Sequence, residues 1–206
     1  EKDIVVNIDI ANFFPKTSKD LVWQVINTNL KNRFSKDCIR LISELCCYKG
    51  GLPIGAPTSP VISNLVLKPS DVAFSKISKK FNIEYSRYAD DLTFSGDENS
   101  IKILPFVQDV LDQKGFQLDS KKTNIFRKGR RQCVTGLVVN EQISVARPIR
   151  KRIRASVHNA CQQKPIFWQE KPMNINELMG RIAFLNLVHP LEAAMYKKQL
   201  KNKKLI

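Results

Sequence analysis

Ile4, Val6, Ile8 and Ile10 alternate with Val5, Asn7 and Asp9. This period of two predicts a half-buried strand, with the isoleucines and Val6 on one face and Asn7 and Asp9 on the other. The period then lengthens. Leu21, Val22, Val25, Ile26 and Leu30 fall on one side of a helix that Ser18 can cap, and Cys38, Ile39, Ile42, Leu45 and Cys46 do the same behind Ser35. Gly50-Gly51 stops the second helix, and the Gly/Pro-rich run 52–60 follows. In it Ser59 is the expected N-cap and Pro60 the first helical residue, with a break or kink expected at Pro69. Two β-prone runs around a small acidic centre predict a hairpin over 84–95. Leu104, Val107, Val110 and Leu111 predict a helix over 101–114 with Gly115 as its C-terminal cap, and a strand at 116–118. A second hairpin is expected over 133–145, turning near Asn140-Glu141. Helices are expected over 149–163, over 175–188, and from 191 into the lysine-rich end. Strand, helices, hairpin, helix, strand is the order of a ferredoxin-like split βαβ sandwich, so the fold class is α+β.

Composition adds a partner class. The 206 residues suffice for one large domain or a domain with an appendage; with 43% hydrophobic and 26% charged residues, global disorder is excluded. Lys and Arg number 34 against 19 Asp and Glu, a net charge of +15 that favours a polyanionic partner. A protein lying on an anionic membrane surface would share that total, so its distribution decides. Between positions 121 and 154 there are eleven Lys or Arg and one Glu, a stripe suited to phosphates. The five cysteines form no CxxC pair and lack a neighbouring histidine, so they are expected to be reduced, mostly core residues of a cytoplasmic protein. No apolar run approaches the ~20 residues of a membrane span, and no charged-then-apolar leader opens the chain, so no membrane partner is expected. The sequence enters its first strand within a few residues of Glu1, which leads us to expect a missing N-terminal part.

An acid at a strand end is most often a solvated edge, and an Asp-Asp pair is most often an exposed turn. Together they say more: a hairpin paired beside the first strand would bring Asp90 and Asp91 next to Asp9. Clustered carboxylates repel one another unless a cation neutralises them, and hard oxygen ligands suit Mg²⁺. Two such ions ~4 Å apart can activate a hydroxyl and stabilise a leaving pyrophosphate, which points to nucleotidyl transfer. His158 and His189 have no partners that would make a ligand set or triad and are expected to be structural; Trp23 and Trp168 are expected to fill a core or interface.

Five segments carry a resemblance. They are Asp9-Ile10-Ala11-Asn12-Phe13-Phe14-Pro15; the run 52–60 with Ser63-Asn64; Tyr88-Ala89-Asp90-Asp91; Gly115-Phe116-Gln117-Leu118 with Lys122-Thr123; and Val134-Thr135-Gly136. In this order they resemble the motifs of a reverse transcriptase palm, in wording closest to the retron-type and defence-associated bacterial enzymes. The resemblance implies a polymerase palm with a primer-gripping hairpin over 1–147, a helical thumb over 148–206, and fingers preceding residue 1. It implies RNA-directed DNA synthesis with Mg²⁺ or Mn²⁺, an RNA template, a DNA or RNA primer, deoxynucleoside triphosphates and an accessory effector protein. Asp9 and Asp90 would ligate both metals, Ile10 would offer its backbone carbonyl, and Asp91 would add charge or ligation. Phe14 would lie beneath the sugar and exclude a 2′-hydroxyl. Gly55, Pro57 and Ser59 would shape the loop under the nucleotide, although Ile54 stands where many relatives have Gln. Lys122, or its neighbour Lys121, would meet the pyrophosphate. Lys128, Arg130, Arg131, Arg147, Arg150, Lys151 and Arg154 would contact nucleic acid. The segment 178–186 resembles thumb wording, while the NAxxH segment of typical retron enzymes is missing between Phe14 and Gly51. The competing expectation is a non-catalytic RNA-recognition-type module. It shares the βαββαβ order, and Lys114-Gly115-Phe116 begins like its aromatic signature, but Gln117 stands where Gly or Ala belongs.

Overall fold

The computed structural model describes residues 2–206. They divide into two compact units, Lys2–Arg130 and Arg131–Ile206. In the first, β1 (Ile4–Asp9) is followed by the short α1 (Phe13–Lys16), α2 (Lys19–Leu30), α3 (Lys36–Leu45) and the long α4 (Thr58–Lys80). The hairpin β2 (Glu84–Tyr88) and β3 (Asp91–Gly96) comes next, then α5 (Asn99–Lys102), α6 (Leu104–Asp112) and β4 (Asn124–Arg127). The sheet order β2-β3-β1-β4, antiparallel throughout, is that of the split βαβ sandwich. Ile4, Val6, Ile8, Leu92 and Phe94 meet Phe74 of α4 and Val107 and Leu111 of α6 in one core. Ser18 and Ser35 cap α2 and α3, each hydroxyl accepting from the backbone N–H three residues on.

Four local expectations need correction. The fourth strand is 124–127, whereas 116–118 makes only the isolated bridge between Ile10 and Leu118. A turn intervenes there: the Asp119 carbonyl accepts from the N–H groups of Lys122 and Thr123 and redirects the chain. Helix α4 runs through Pro69 unbroken. The missing N–H and ring clash cost about 3 kcal/mol, and burial of Ile62, Val66 and Leu67 before the proline and Phe74 after it holds both halves on the core. The helix also starts at Thr58, so Ser59 is inside it and caps nothing. The single helix over 101–114 is two, interrupted at Ile103, because Pro105 takes a first-turn position and starts α6 afresh. Its end matches the expectation, with Gly115 at φ +78° and the Phe116 N–H donating to the Leu111 carbonyl.

The second unit opens with a meander of three short strands, β5 (Cys133–Val134), β6 (Leu137–Val138) and β7 (Ser144–Val145), rather than one hairpin. Thr135 and Gly136 both have positive φ, which makes a tight two-residue turn before the expected bend near Asn140. Helix α7 (Arg147–Cys161), the hairpin β8 (Phe167–Trp168) and β9 (Lys171–Pro172), α8 (Ile175–Asn186) and α9 (Pro190–Asn202) complete it. Ile153, Val157, Leu178, Ile182, Ala193 and Tyr196 form its core, which Val145 joins. The meander therefore packs with the helices that follow it, and the compact units divide at 130/131. His189 is structural: its Nε2 accepts from the Ser144 hydroxyl at 2.9 Å and the Val145 N–H at 3.4 Å, tying β7 to the start of α9. The five cysteines are half-buried and form no disulfide, with Cys46 and Cys47 packed against the first core and Cys161 against the second. Trp23 is exposed, whereas Trp168 lies under the Arg181 guanidinium, 3.6 Å from its ring centre. Among the described residues, no helix is long and apolar enough to cross a membrane.

Candidate active site

The register of β1 on β3 sets Asp9 opposite Asp91, and the Tyr88–Asp91 pair closes a two-residue loop made of Ala89 and Asp90. One carboxylate oxygen from each of Asp9, Asp90 and Asp91 lies within 4.8 Å of the other two. Asp9 is buried, Asp90 half-buried and Asp91 exposed. Partial desolvation, then the charges of Asp90 and Asp9, push the Asp91 carboxyl above its ordinary value. Like charges at this spacing call for a cation, and the donors are hard carboxylate oxygens, so the residues fit a divalent metal ion. The backbone of Ile10 belongs to the same corner, since its N–H donates to the Asp90 carbonyl at 3.2 Å.

One cation is already there. The segment after α6 lies along the end of β1, with the Ala11 N–H donating to the Gln117 carbonyl and the Asp119 N–H to the Asp9 carbonyl, both at 2.8 Å. The turn at Asp119 then carries Lys122 back over the acids, and its Nζ donates to Asp9 Oδ2 at 2.6 Å. That hydrogen bond, and then the Asp9 charge, push the lysine further up. Lys121 is exposed, with its backbone N–H held by the Asp119 side chain. The geometry therefore brings Lys122, and not Lys121, to the acids.

Phe14 is half-buried in α1, with its ring 5.6 Å from that of Phe13, which meets Phe116 edge-on at 5.2 Å. The loop after α3 is tied to this turn because the Leu52 N–H donates to the Phe14 carbonyl. Along that loop Gly55 (φ +90°), Pro57 and Ile54 are exposed. Ser59 is buried, and its hydroxyl donates to the Pro53 carbonyl at 2.7 Å, so it closes the loop from inside. Phe116 is fully buried. It offers no face to a base, and the aromatic signature of an RNA-recognition module is not displayed.

The basic residues separate. Lys128 pairs loosely with Asp3 at 3.7 Å, and Arg130 is exposed. In the second unit, Arg131, Arg147, Arg150, Lys151 and Arg154 line one cavity of about 470 Å³ together with Ser144 and Glu192. Glu192 accepts from Arg150 through Nε and Nη2 at 3.0 and 2.7 Å and from the Tyr196 hydroxyl at 2.8 Å. Sequence reasoning missed that brace. It also missed the contacts of Arg87, whose guanidinium binds Asp71, Asn64 and the Ala89 carbonyl. The available signal was the alternation of Tyr85 and Arg87 on one face of β2, a face that must meet a helix.

An antiparallel 4-1-3-2 sheet carrying three convergent acids at the end of its central strand, with a separate helical unit behind it in sequence, is a polymerase palm followed by a thumb. A profile of the reverse transcriptase (RNA-dependent DNA polymerase) family matches residues 1–168, and the chain belongs to that family. Among its relatives, the Retron Mx162 reverse transcriptase of Myxococcus xanthus is 30% identical over 96% of this chain and 47% of the relative. The Retron Ec86 reverse transcriptase of Escherichia coli is 33% identical over 76% of this chain and 49% of the relative. The chain thus spans about half the length of the curated relatives it matches. Among solved structures, a Candida albicans telomerase covers 98% of this chain and 40% of its own, with a TM-score of 0.59 at 10% identity. The apo telomerase of Candida tropicalis gives 0.54 at 12% identity over 96% of this chain and 42% of its own. These two likenesses are of fold, an α+β palm with a helical thumb. The family uses divalent metal ions, and the carboxylate cluster is where this chain could hold them.

Proposed function

We propose that the protein is the polymerising part of a retron-type enzyme of bacterial defence that extends a primer with deoxynucleotides on an RNA template. The observation that carries this is the convergence of Asp9, Asp90 and Asp91 within 4.8 Å. Asp9 and Asp90, with the Ile10 carbonyl, would hold Mg²⁺, and Asp91 would supply further charge. Bound there, the metal would acidify the primer 3′-hydroxyl and neutralise charge on the triphosphate. The chain's own groups do the rest. Phe14 sits beneath the sugar and crowds a 2′-hydroxyl, and Gly55 and Pro57 let the loop backbone approach the template and nucleotide, with Ser59 fixing that loop from below. Lys122 leaves Asp9 to meet the departing pyrophosphate. The basic cavity of the second unit, together with Lys128 and Arg130, takes phosphates of the template and primer. In this reading, residues to 147 act as palm and 148–206 as thumb.

The test is incorporation of labelled deoxynucleotides on primed RNA by the full-length protein, beside an Asp90→Asn variant. Wild-type extension lost in the variant is the expected result. Equal incorporation by both removes the assigned role of Asp90, and tight RNA binding with no incorporation overturns the polymerase reading.

A further inference from the structure

The Arg87 side chain makes four hydrogen bonds in the first unit, and none of its partners is an acid of the cluster. Its Nε and Nη2 grip the two oxygens of Asp71 on α4 at 2.7 and 2.6 Å. Its Nη1 donates to Asn64 Oδ1 at 2.8 Å, also on α4, and to the carbonyl of Ala89 at 2.9 Å. Asp71 is fixed in turn by the Tyr85 hydroxyl at 2.7 Å. The arginine side chain is 9% exposed and that of Asp71 28%, so this fork is formed largely out of water.

The Ala89 carbonyl matters because of where it sits. Ala89 and Asp90 make up the loop between β2 and β3, and Ala89 has φ +52°, the left-handed region that costs a residue with a Cβ about 1 kcal/mol or more. Mutual repulsion among Asp9, Asp90 and Asp91 acts to spread the same loop. The loop is nevertheless held from both sides, on one by the Ile10 N–H donating to the Asp90 carbonyl and on the other by Arg87. Only a planar guanidinium can bind a carboxylate through two parallel bonds and still aim a third nitrogen at two further acceptors; a lysine ammonium is a single point donor.

We propose that Arg87 is a positioning residue that clamps the strained Ala89–Asp90 loop to Asp71 and Asn64 of α4, so that Asp90 stays within ligating distance of Asp9 under its repulsion. The proposal rests on the polymerase reading for its kinetic consequence, but not for its effect on the acid cluster. Two measurements in the full-length protein test it, on Arg87→Lys and on the milder Asp71→Asn. The first is Mn²⁺ affinity by electron paramagnetic resonance, without nucleic acid. The second is kcat per folded molecule, with the folded fraction taken from thermal melting.

Weaker Mn²⁺ binding is expected in both variants, with kcat reduced about 10- to 100-fold in Arg87→Lys and KM for deoxynucleotide unchanged. A role in stability alone would lower the melting temperature and leave kcat per folded molecule and Mn²⁺ affinity at wild-type values, and that result overturns the proposal. Should Arg87→Lys fail to fold, Asp71→Asn decides by the same two readouts. Should the wild type incorporate nothing, the polymerase reading fails, and the Mn²⁺ comparison still judges the clamp.

Discussion

Lys122 and Asp9 share a 2.6 Å hydrogen bond in a cluster where two further carboxylates lie close by. Until a metal arrives, the ammonium is the local counter-ion. The bond raises the lysine's pKa, so it stays charged through neutral pH and competes for Asp9. Replacing it with an uncharged side chain should therefore act in opposite directions on two measurements. In Lys122→Met, Mn²⁺ titrated without nucleotide should bind more tightly, while kcat should fall because nothing meets the pyrophosphate; weaker metal binding in the variant would show that the ammonium does not occupy the metal's place. Phe14 gives a second residue-scale prediction. Its ring is braced by Phe13, which is braced by Phe116, so it has little room to give way if a sugar lies above it as proposed. Phe14→Ala should raise ribonucleotide incorporation relative to deoxynucleotide in single-turnover competition, and an unchanged ratio would remove the ring from sugar selection.

Elements are held together by contacts that the sequence pattern revealed unevenly. The strand 4–9, both serine caps and the hairpin were legible because apolar period and cap chemistry coincided there. The strand 124–127 was not: it is short, on the sheet edge, and only Phe126 among its residues is even half-buried, so it shows no alternation. Pro69 argued locally for a break that tertiary packing overrode. The three acids were legible as a set because strand order follows from element order, but the Arg87 clamp needs α4 placed in three dimensions. Gly51 shows the same limit, since it reads as a helix stop and serves also as a close approach. A Cβ there would lie 2.1 Å from the Pro15 carbonyl oxygen, next to Phe14. Gly51→Ala should cost about 1–3 kcal/mol in denaturant unfolding. In the second unit, burial works against the charged form of Glu192, but hydrogen bonds from Tyr196 and Arg150 and the Arg150 charge outweigh it and hold the carboxyl below its ordinary 4.5. Its contribution is then present above that value and fades as pH falls through the lower folded-state one. Glu192→Gln should be less stable than wild type near neutrality and should converge with it in acid, as urea midpoints taken from about pH 6 to about pH 3 would show.

The whole chain carries +15, and its fold arranges that surplus unequally. Five basic side chains line one cavity in the second unit, where a single Glu192 is already neutralised by Arg150. A wall of this kind attracts phosphates irrespective of base sequence, and each phosphate bound releases condensed counterions, so affinity must fall with salt. The acid cluster makes the opposite demand: its anions repel the nucleic acid unless metal neutralises them. Binding and chemistry are thus separable at this scale. Arg147→Ala and Lys151→Ala are suitable probes, because both side chains are exposed and line the cavity and neither belongs to the Arg150–Glu192 brace. Each should weaken binding of a primed RNA and reduce the slope of log K against log salt by about 1 unit, uniformly across template sequences. With saturating template, kcat should be unchanged, since neither residue has a part in the chemistry proposed. A slope that stays at the wild-type value in both variants would take the cavity out of the nucleic-acid path. A loss confined to one template sequence would instead make it a reader of bases.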